Sequence, residues 1–197
     1  SSDLLRIKAG GTGAVDLQQA GNQVQRFGAE VAHGTLAYNN AGALTLEAVS
    51  TRDREQLLRA GGAIELSDKL QAGAATVSLE AKGGIQQSGG TLDADALRLL
   101  AAGDVKLQQQ GNRIGSVAAQ LDDGALALHS QSALKVGSVR RELGGEDKNR
   151  SLAGISTGNR QQALSSAGAI ELAADLKGGQ LGLGSALGGI RQTAGSL

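Results

Sequence analysis

The sequence predicts an all-β protein, a parallel β-helix of about eight or nine rungs, where each rung is one coil of the chain. Three observations support this fold class. Apolar and polar residues alternate over short stretches that end at Gly, Asn, Asp or Ser, which is typical of short strands with one buried face. Comparable stretches recur every 20 or 21 residues, and part of the chain is duplicated. Helices are disfavoured because 31 glycines in 197 residues interrupt a 3.6-residue period.

The strands are predicted by pairs of apolar residues separated by one residue, each pair followed by a polar or Gly-containing break. Stacked in successive rungs at about 4.8 Å, these pairs would form aliphatic columns inside a rod roughly 40 Å long. The pairs are Leu5/Ile7, Val15/Leu17, Leu36/Tyr38, Leu44/Leu46, Ile64/Leu66, Val77/Leu79, Leu97/Leu99, Val105/Leu107, Leu126/Leu128, Leu134/Val136, Ile170/Leu172 and Leu181/Leu183.

The duplication is clearest between residues 15–46 and 105–136, where 12 of 32 positions are identical at an offset of 90 residues. The match resumes at an offset of 106 residues, between 62–66 and 168–172. The second copy therefore carries about 16 additional residues.

The domain organisation follows from this register. We predict a single β-helix segment over 1–197, with one copy in 3–92 and the other in 95–197, and with insertions near 50–60 and 138–161. The absence of an initiator Met leads us to expect an internal fragment of a longer chain.

Gly and Asn are expected at the corners between strands, because they tolerate tight turns. The Gly21-Asn22 and Gly111-Asn112 pairs occupy equivalent positions in the two copies. Two interpretations stay open at this stage: the Asn amides bond to corner backbone groups, or the pairs are exposed turns.

Two charged runs, 52–59 and 140–150, do not fit the alternating pattern. We expect them to be loops extruded from the rod, and loops on a regular scaffold are common binding sites. The helix formers in 54–59 also favour a short helix there. The alternative is that both runs are solvated loops without function. The candidate partner-binding residues are Arg52, Arg54, Arg140, Arg141, Lys148 and Arg150.

Composition argues against several functions. Nineteen basic and 19 acidic residues balance, so a nucleic-acid partner is not expected. The chain has no Cys, which excludes disulfides and thiolate sites, and no apolar run is long enough for a membrane span. His33 and His129 occupy non-equivalent positions and suggest no metal site. We expect no cofactor and no enzymatic activity.

Two segments of the chain support a family resemblance. Residues 83–104 (GGIQQSGGTLDADALRLLAAGD) and 101–139 (AAGDVKLQQQGNRIGSVAAQLDDGALALHSQSALKVGSV) resemble the haemagglutinin-type repeats of two-partner-secretion exoproteins. That family includes the filamentous haemagglutinins and the contact-dependent inhibition exoproteins. The resemblance covers nearly the whole chain except the two charged runs, and it implies a right-handed parallel β-helix.

The resemblance also implies a function. It suggests a structural or adhesive segment of a secreted or surface-attached bacterial fibre, mediating host-cell or cell-cell adhesion or acting as a stalk for a distal receptor-binding or toxin region. The implied partners are neighbouring rungs of the parent chain, a receptor or glycan, and an outer-membrane transporter during secretion. One alternative is a β-helical polysaccharide lyase or hydrolase, which the presence of only two aromatic residues disfavours. Another is a scaffold that self-associates end to end.

Overall fold

The computed structural model describes residues 2–145 and 150–197 and contains no helix in those residues. Its strands are β1 (Ser2–Ala9), β2 (Val15–Leu17), β3 (Val24–Val31), β4 (Leu36–Asn40), β5 (Leu44–Ser50), β6 (Gln56–Ala60), β7 (Ile64–Leu66), β8 (Leu70–Ala81), β9 (Ile85–Gln87), β10 (Leu92–Ala101), β11 (Val105–Leu107), β12 (Arg113–Leu121), β13 (Leu126–Ser130), β14 (Leu134–Val136), β15 (Ser138–Arg140), β16 (Ser151–Ala153), β17 (Ile155–Ser156), β18 (Gln161–Ser166), β19 (Ile170–Leu172), β20 (Leu176–Lys177), β21 (Gln180–Ser185) and β22 (Ile190–Gln192).

The strands stack in parallel as a β-solenoid. One series of pairings runs β1–β3–β5–β7–β9–β11–β13–β18–β21, and a second runs β2–β4–β6–β8–β10–β12–β14–β19–β22. Each series has nine strands, so the chain makes about nine rungs. The predicted all-β parallel solenoid is confirmed.

The core consists of side chains stacked in register from rung to rung. In one column, Tyr38 pairs with Leu58, Leu58 with Leu79, and Leu79 with Leu99, and all four are buried. The two aromatic residues pack together, because the rings of Phe27 and Tyr38 stack with centroids 4.2 Å apart. Each rung therefore buries its inward residues against the rungs on either side of it.

The corner asparagines bond to backbone groups. The Asn22 side-chain amide donates to the Leu17 carbonyl oxygen at 2.9 Å. In the second copy, Asn112 is fully buried, donates to the Leu107 carbonyl oxygen at 3.2 Å, and accepts from the Leu92 N–H at 2.9 Å. The first of the two interpretations is therefore correct, since these amides satisfy backbone groups that the corner leaves unpaired.

The first charged run is a corner followed by a strand, which corrects the expectation of an extruded loop and of a short helix. Only residues 52–55 lie outside strands, and residues 56–60 form β6. β6 pairs with β4 on one side and with β8 on the other, and Leu58 enters the core. Burial and pairing on both sides override the local helix propensity of these residues.

This corner also has a counterpart in the second copy. The Gln56 side-chain amide donates to Thr51 Oγ1 at 3.0 Å and to a carbonyl oxygen of the following rung at 2.6 Å. Gln162 donates to Thr157 Oγ1 at 3.2 Å and to the corresponding carbonyl oxygen at 2.7 Å. The region 50–60 is therefore an ordinary corner of the repeat and not an insertion.

The described residues of the second charged run, 140–145 and 150, lie in a β-hairpin segment whose strands β15 and β16 pair in antiparallel fashion. The hairpin leaves the solenoid after Gly137 and returns at Gly154, whose N–H donates to the Gly137 carbonyl oxygen at 2.8 Å. Residues 138–153 account for the 16 residues by which the second copy exceeds the first. β17 follows at once and pairs with β12, so the insertion is shorter than the predicted 138–161.

Candidate binding groove beside the docked hairpin

The hairpin lies against the outer surface of the solenoid. Val139 and Leu152 point from the hairpin onto Ala118 of β12, and all three are buried. Ala96 and Leu100 of β10 complete this small apolar cluster, which is separate from the main core. The hairpin is therefore packed on the rod and does not project freely from it.

A cluster of charges at this contact centres on Glu80 of β8. Arg59 Nε lies 2.7 Å from Glu80 Oε2, while Arg98 Nη1 and Arg141 Nε lie 2.7 Å and 3.1 Å from Oε1. Arg98 and Arg141 are fully buried. Because Arg141 belongs to the hairpin segment and the other three residues to successive rungs, the cluster fastens the hairpin to the solenoid.

The buried position of Arg141 corrects one sequence prediction. We expected Arg141 to face a partner, but its side chain is 0% exposed and bonds within the chain. The alternation of polar and apolar residues along a strand could not predict this burial, because the docking of the hairpin is what buries Arg141.

The two charged runs meet in space although 87 residues separate their contacting members. The Glu55 carboxylate accepts the Glu142 N–H at 2.9 Å and the Leu143 N–H at 3.4 Å. Burial raises the pKa of Glu55, and these two backbone hydrogen bonds oppose the shift. The corner at 52–55 thus forms part of the seat on which the hairpin rests.

The remaining predicted partner-binding residues differ in their surroundings. Arg150 bonds to the Glu142 carboxylate and to the Arg141 carbonyl oxygen, and the hydrogen bond from Arg150 is the main cause that lowers the pKa of Glu142. Arg140 is exposed and lies 3.0 Å from the same carboxylate. Of the six predicted residues, Lys148 lies outside the described part of the chain.

Arg52 and Arg54 are exposed on the first corner. Within residues 2–145 and 150–197, neither forms an ion pair. Arg52, Arg54 and Arg140 are therefore the predicted cations that the structure places on the surface.

We expect Glu55→Gln to preserve hairpin docking and Glu55→Ala to weaken it. The amide oxygen of Gln still accepts the two backbone N–H groups, whereas Ala removes the acceptor at a cost of about 0.5–1.5 kcal/mol. The pKa of Glu55 is raised in the folded chain. Ionisation of its carboxyl group therefore lowers the free energy of unfolding as the pH rises above about 4.3, the pKa of Glu in an unfolded chain. Glu55→Gln should therefore gain stability relative to the native chain between acidic and neutral pH.

Urea denaturation at several pH values, together with hydrogen exchange at the Glu142 and Leu143 amides, tests this expectation. Faster exchange in Glu55→Ala but not in Glu55→Gln would support it. Equal exchange rates in both variants would show that the carboxylate does not hold the hairpin.

A groove runs along the solenoid beside the hairpin and has a volume of about 790 Å³. It crosses five successive strands, β4, β6, β8, β10 and β12, near their carboxyl ends. Small residues line much of it, among them Ala60, Gly61, Ala81, Ala101 and Ala102. The polar and larger lining residues are Asn39, Asn40, Arg59, Glu80, Lys82, Leu100, Gln120 and Asp122.

The charges of the groove are partly engaged and partly open to solvent. Arg59 and Glu80 bond to each other on one side. Lys82 and Asp122 are exposed, and neither forms an ion pair with any residue that the structure describes. The groove can therefore offer both hydrogen-bond donors and acceptors to a ligand.

Sequence reasoning did not find Glu80, Arg98 or Arg59, because charged residues at outward strand positions normally face water. One signal was present. The outward positions beside Arg98 on neighbouring strands are Ser78 and Ala118, and the next is Leu57. A run of small or apolar outward residues on adjacent rungs indicates a covered patch.

The described residues contain no group of His, Asp and Glu side chains suited to hold a metal ion, and they include no helix that could cross a membrane.

One protein family matches the chain, over residues 57–120, and is described as repeats of unknown function (DUF5649). The matched segment contains Arg59, Glu80 and Arg98, which carry the charge cluster. No curated protein and no solved structure matches the chain. The chain is thus similar to a repeat family across its central rungs.

Proposed function

We propose that the chain is a structural and adhesive segment of a fibre that a bacterium secretes or carries on its surface. The observation that supports this role is the continuous parallel stacking of the rungs. Two series of nine parallel strands run along the described chain, and inward residues such as Leu58, Leu79 and Leu99 are buried against the rungs beside them. Since a solenoid of this kind is a regular stack of rungs, it suits the shaft of a fibre.

The resemblance to haemagglutinin-type repeats supports the extracellular location and export through an outer-membrane transporter. A chain without Cys and with mostly rung-to-rung pairing can fold by adding one rung to the next after export. In such a fibre the solenoid either presents an adhesive surface or acts as a stalk for a distal receptor-binding or toxin region.

Surface labelling of the organism that makes the protein tests this location. Antibodies raised against the purified chain should label intact cells or the culture fluid. Labelling that requires permeabilised cells would overturn the proposed fibre.

The adhesive part of the proposal assigns partner contact to the exposed cations around the hairpin, Arg52, Arg54 and Arg140. Deleting residues 138–153 joins Gly137 to Gly154 and restores the direct connection of the first copy, where Glu47 and Ala48 are consecutive residues within β5. We expect the deleted chain to keep its β-sheet circular dichroism.

Cell binding of the labelled chain should fall after this deletion and after the triple substitution Arg52→Ala, Arg54→Ala and Arg140→Ala. The matched control is Lys106→Ala, which removes an exposed cation of another strand. Binding that survives both changes would assign adhesion to another surface, and the loop-binding proposal would fail.

The chemistry of the groove does not favour the alternative of a polysaccharide-cleaving enzyme. A general acid or base must exchange a proton with the substrate, but the Glu80 carboxylate is engaged by Arg59, Arg98 and Arg141. The other groove carboxylate, Asp122, is exposed. We therefore propose a binding role for the groove and not a catalytic one.

A further inference from the structure

The hairpin lies along the solenoid and contacts several rungs in succession. Its root is in the rung of β14 and β17, because it leaves after Gly137 and returns at Gly154. Towards the start of the chain, the hairpin packs on Ala118 of β12 and on outward residues of β10. One rung further, Arg141 Nε lies 3.1 Å from Glu80 Oε1 of β8. The hairpin therefore runs back over rungs that precede its own root.

Farther from the root, the hairpin contacts β6 and the corner before it. Gly144 lies so close to Leu57 of β6 that a Cβ atom at Gly144 would be 2.6 Å from Leu57 Cδ2. In the corner, the Glu55 carboxylate accepts the Glu142 N–H at 2.9 Å. From β14 to β6 the hairpin thus spans five successive rungs, which corresponds to four inter-strand steps and about 19 Å.

The outward residues under the hairpin form one continuous covered strip. Leu57, Ser78, Arg98 and Ala118 are register partners on β6, β8, β10 and β12. All four are 0% exposed, although outward strand residues normally face water. The hairpin is therefore packed along its length and is not held at isolated points.

These contacts differ in range from those of the solenoid itself. The described parallel pairings join each rung to its neighbours, so a single rung could open locally by losing only its contacts with the rungs beside it. The hairpin adds contacts between rungs up to four steps apart. Opening of β8 would also break the ion pair of Glu80 with Arg141, and opening of the corner would release the hairpin from Glu55.

We propose that the hairpin is a brace that makes the five rungs from β6 to β14 open as one cooperative unit. Because β15 and β16 are paired with each other, the hairpin moves as one body, and its undocking from one rung weakens its contacts with the others. This inference concerns the stability of the folded chain, so it goes beyond the fibre role and does not depend on it.

Native-state hydrogen exchange of the full chain in low concentrations of urea tests the proposal. Amides of β6, β8, β10 and β12 should share one opening free energy and one dependence on urea. Deleting residues 138–153 should make their protection graded from strand to strand and their exchange at least about tenfold faster, which corresponds to roughly 1.4 kcal/mol. Amides of β3, outside the braced rungs, should not change. Graded protection of the four strands in the native chain would overturn the brace.

A matched pair of variants separates a brace from a local cover. Leu152 is buried against β10 and β12, whereas its neighbour Ser151 is exposed. Leu152→Asp should accelerate exchange at least about tenfold in β6 and β8, which Leu152 does not contact, as well as in β10 and β12. Ser151→Asp introduces the same charge and should stay within about twofold of the native rates. Acceleration confined to β10 and β12 would mean that the hairpin covers only the strands beside it, and the brace would be wrong.

Glu55 provides the same test from the other end of the hairpin, and it serves if Leu152→Asp does not fold. Glu55→Ala should accelerate exchange in β12, three strands away from the corner, whereas Glu55→Gln keeps the acceptor and should not. An effect of Glu55→Ala limited to β6 and to the Glu142 and Leu143 amides would also overturn the brace. None of these outcomes affects the surface-labelling test, so the failure of the brace and the failure of the fibre proposal are distinguishable.

Discussion

Replacing Glu80 by alanine is expected to lower the free energy of unfolding by about 3–5 kcal/mol. The substitution removes the carboxylate that Arg59, Arg98 and Arg141 share. Arg98 and Arg141 are 0% exposed, so water cannot readily replace the lost oxygen atoms. A buried cation that loses its counter-charge costs much more than an exposed one.

Urea denaturation of the native chain and three variants measures this effect. Glu80→Gln keeps one acceptor oxygen and removes the charge, so its destabilisation should lie between those of the native chain and Glu80→Ala. Lys82→Ala, two residues away and exposed, is the control and should stay within about 0.5 kcal/mol of the native value. A Glu80→Ala chain as stable as the Lys82→Ala chain would show that the cluster is not a buried unit.

The docked hairpin should account for a large part of the destabilisation that Glu80→Ala causes. When residues 138–153 are deleted, Arg141 is absent and the hairpin no longer covers Arg98. We therefore expect Glu80→Ala to cost less in the deleted chain than in the full chain. The difference between the two measurements is the coupling energy of the hairpin and Glu80.

The solenoid could be predicted from the sequence because its signals are local and repeated. Alternating pairs such as Leu97/Leu99, with corners such as Gly111-Asn112, recur at nearly constant spacing, and stacking such pairs buries them. The prediction of an extruded loop at the first charged run was wrong because the charged residues at 52–55 mask the register of the repeat. Thr51 and Gln56 recur as Thr157 and Gln162 at the offset already established by 62–66 and 168–172, and this match could have identified the corner.

The charge cluster could not be predicted in the same way. Its geometry depends on where a 16-residue hairpin comes to rest, and the contact between Glu55 and Glu142 spans 87 residues. No periodicity relates the hairpin to Arg98 or Glu80, since the hairpin occurs in only one copy of the repeat. Arg52 and Arg54 are exposed and their partner contact stays a prediction, whereas the burial of Arg141 contradicts the partner contact predicted for it.

Leu79→Ala is expected to lower the free energy of unfolding by about 2–5 kcal/mol, because it opens a cavity in a column that neighbouring rungs cannot close. Leu79 is 0% exposed and is paired in register with Leu58 and Leu99. Leu187→Ala, at a position that is 74% exposed, is the control and should change stability by less than about 0.5 kcal/mol.

Hydrogen exchange shows how far the effect spreads. A rung is stabilised mainly by its neighbours, so Leu79→Ala should reduce amide protection in β6 and β10 as well as in β8. Loss of protection confined to β8 would contradict this nearest-neighbour account of the solenoid.

Leu79 and Glu80 are adjacent residues that face opposite sides of β8, and the hairpin deletion should separate their roles. Leu79 packs in the main core, to which the described residues of the hairpin, 138–145 and 150–153, do not contribute, so the cost of Leu79→Ala should be the same with and without the hairpin. Glu80 acts through the docked face, so the cost of Glu80→Ala should fall. If both costs fell together, the hairpin would be stabilising the core itself, and the solenoid could not be regarded as a scaffold that folds independently of the segment docked on it.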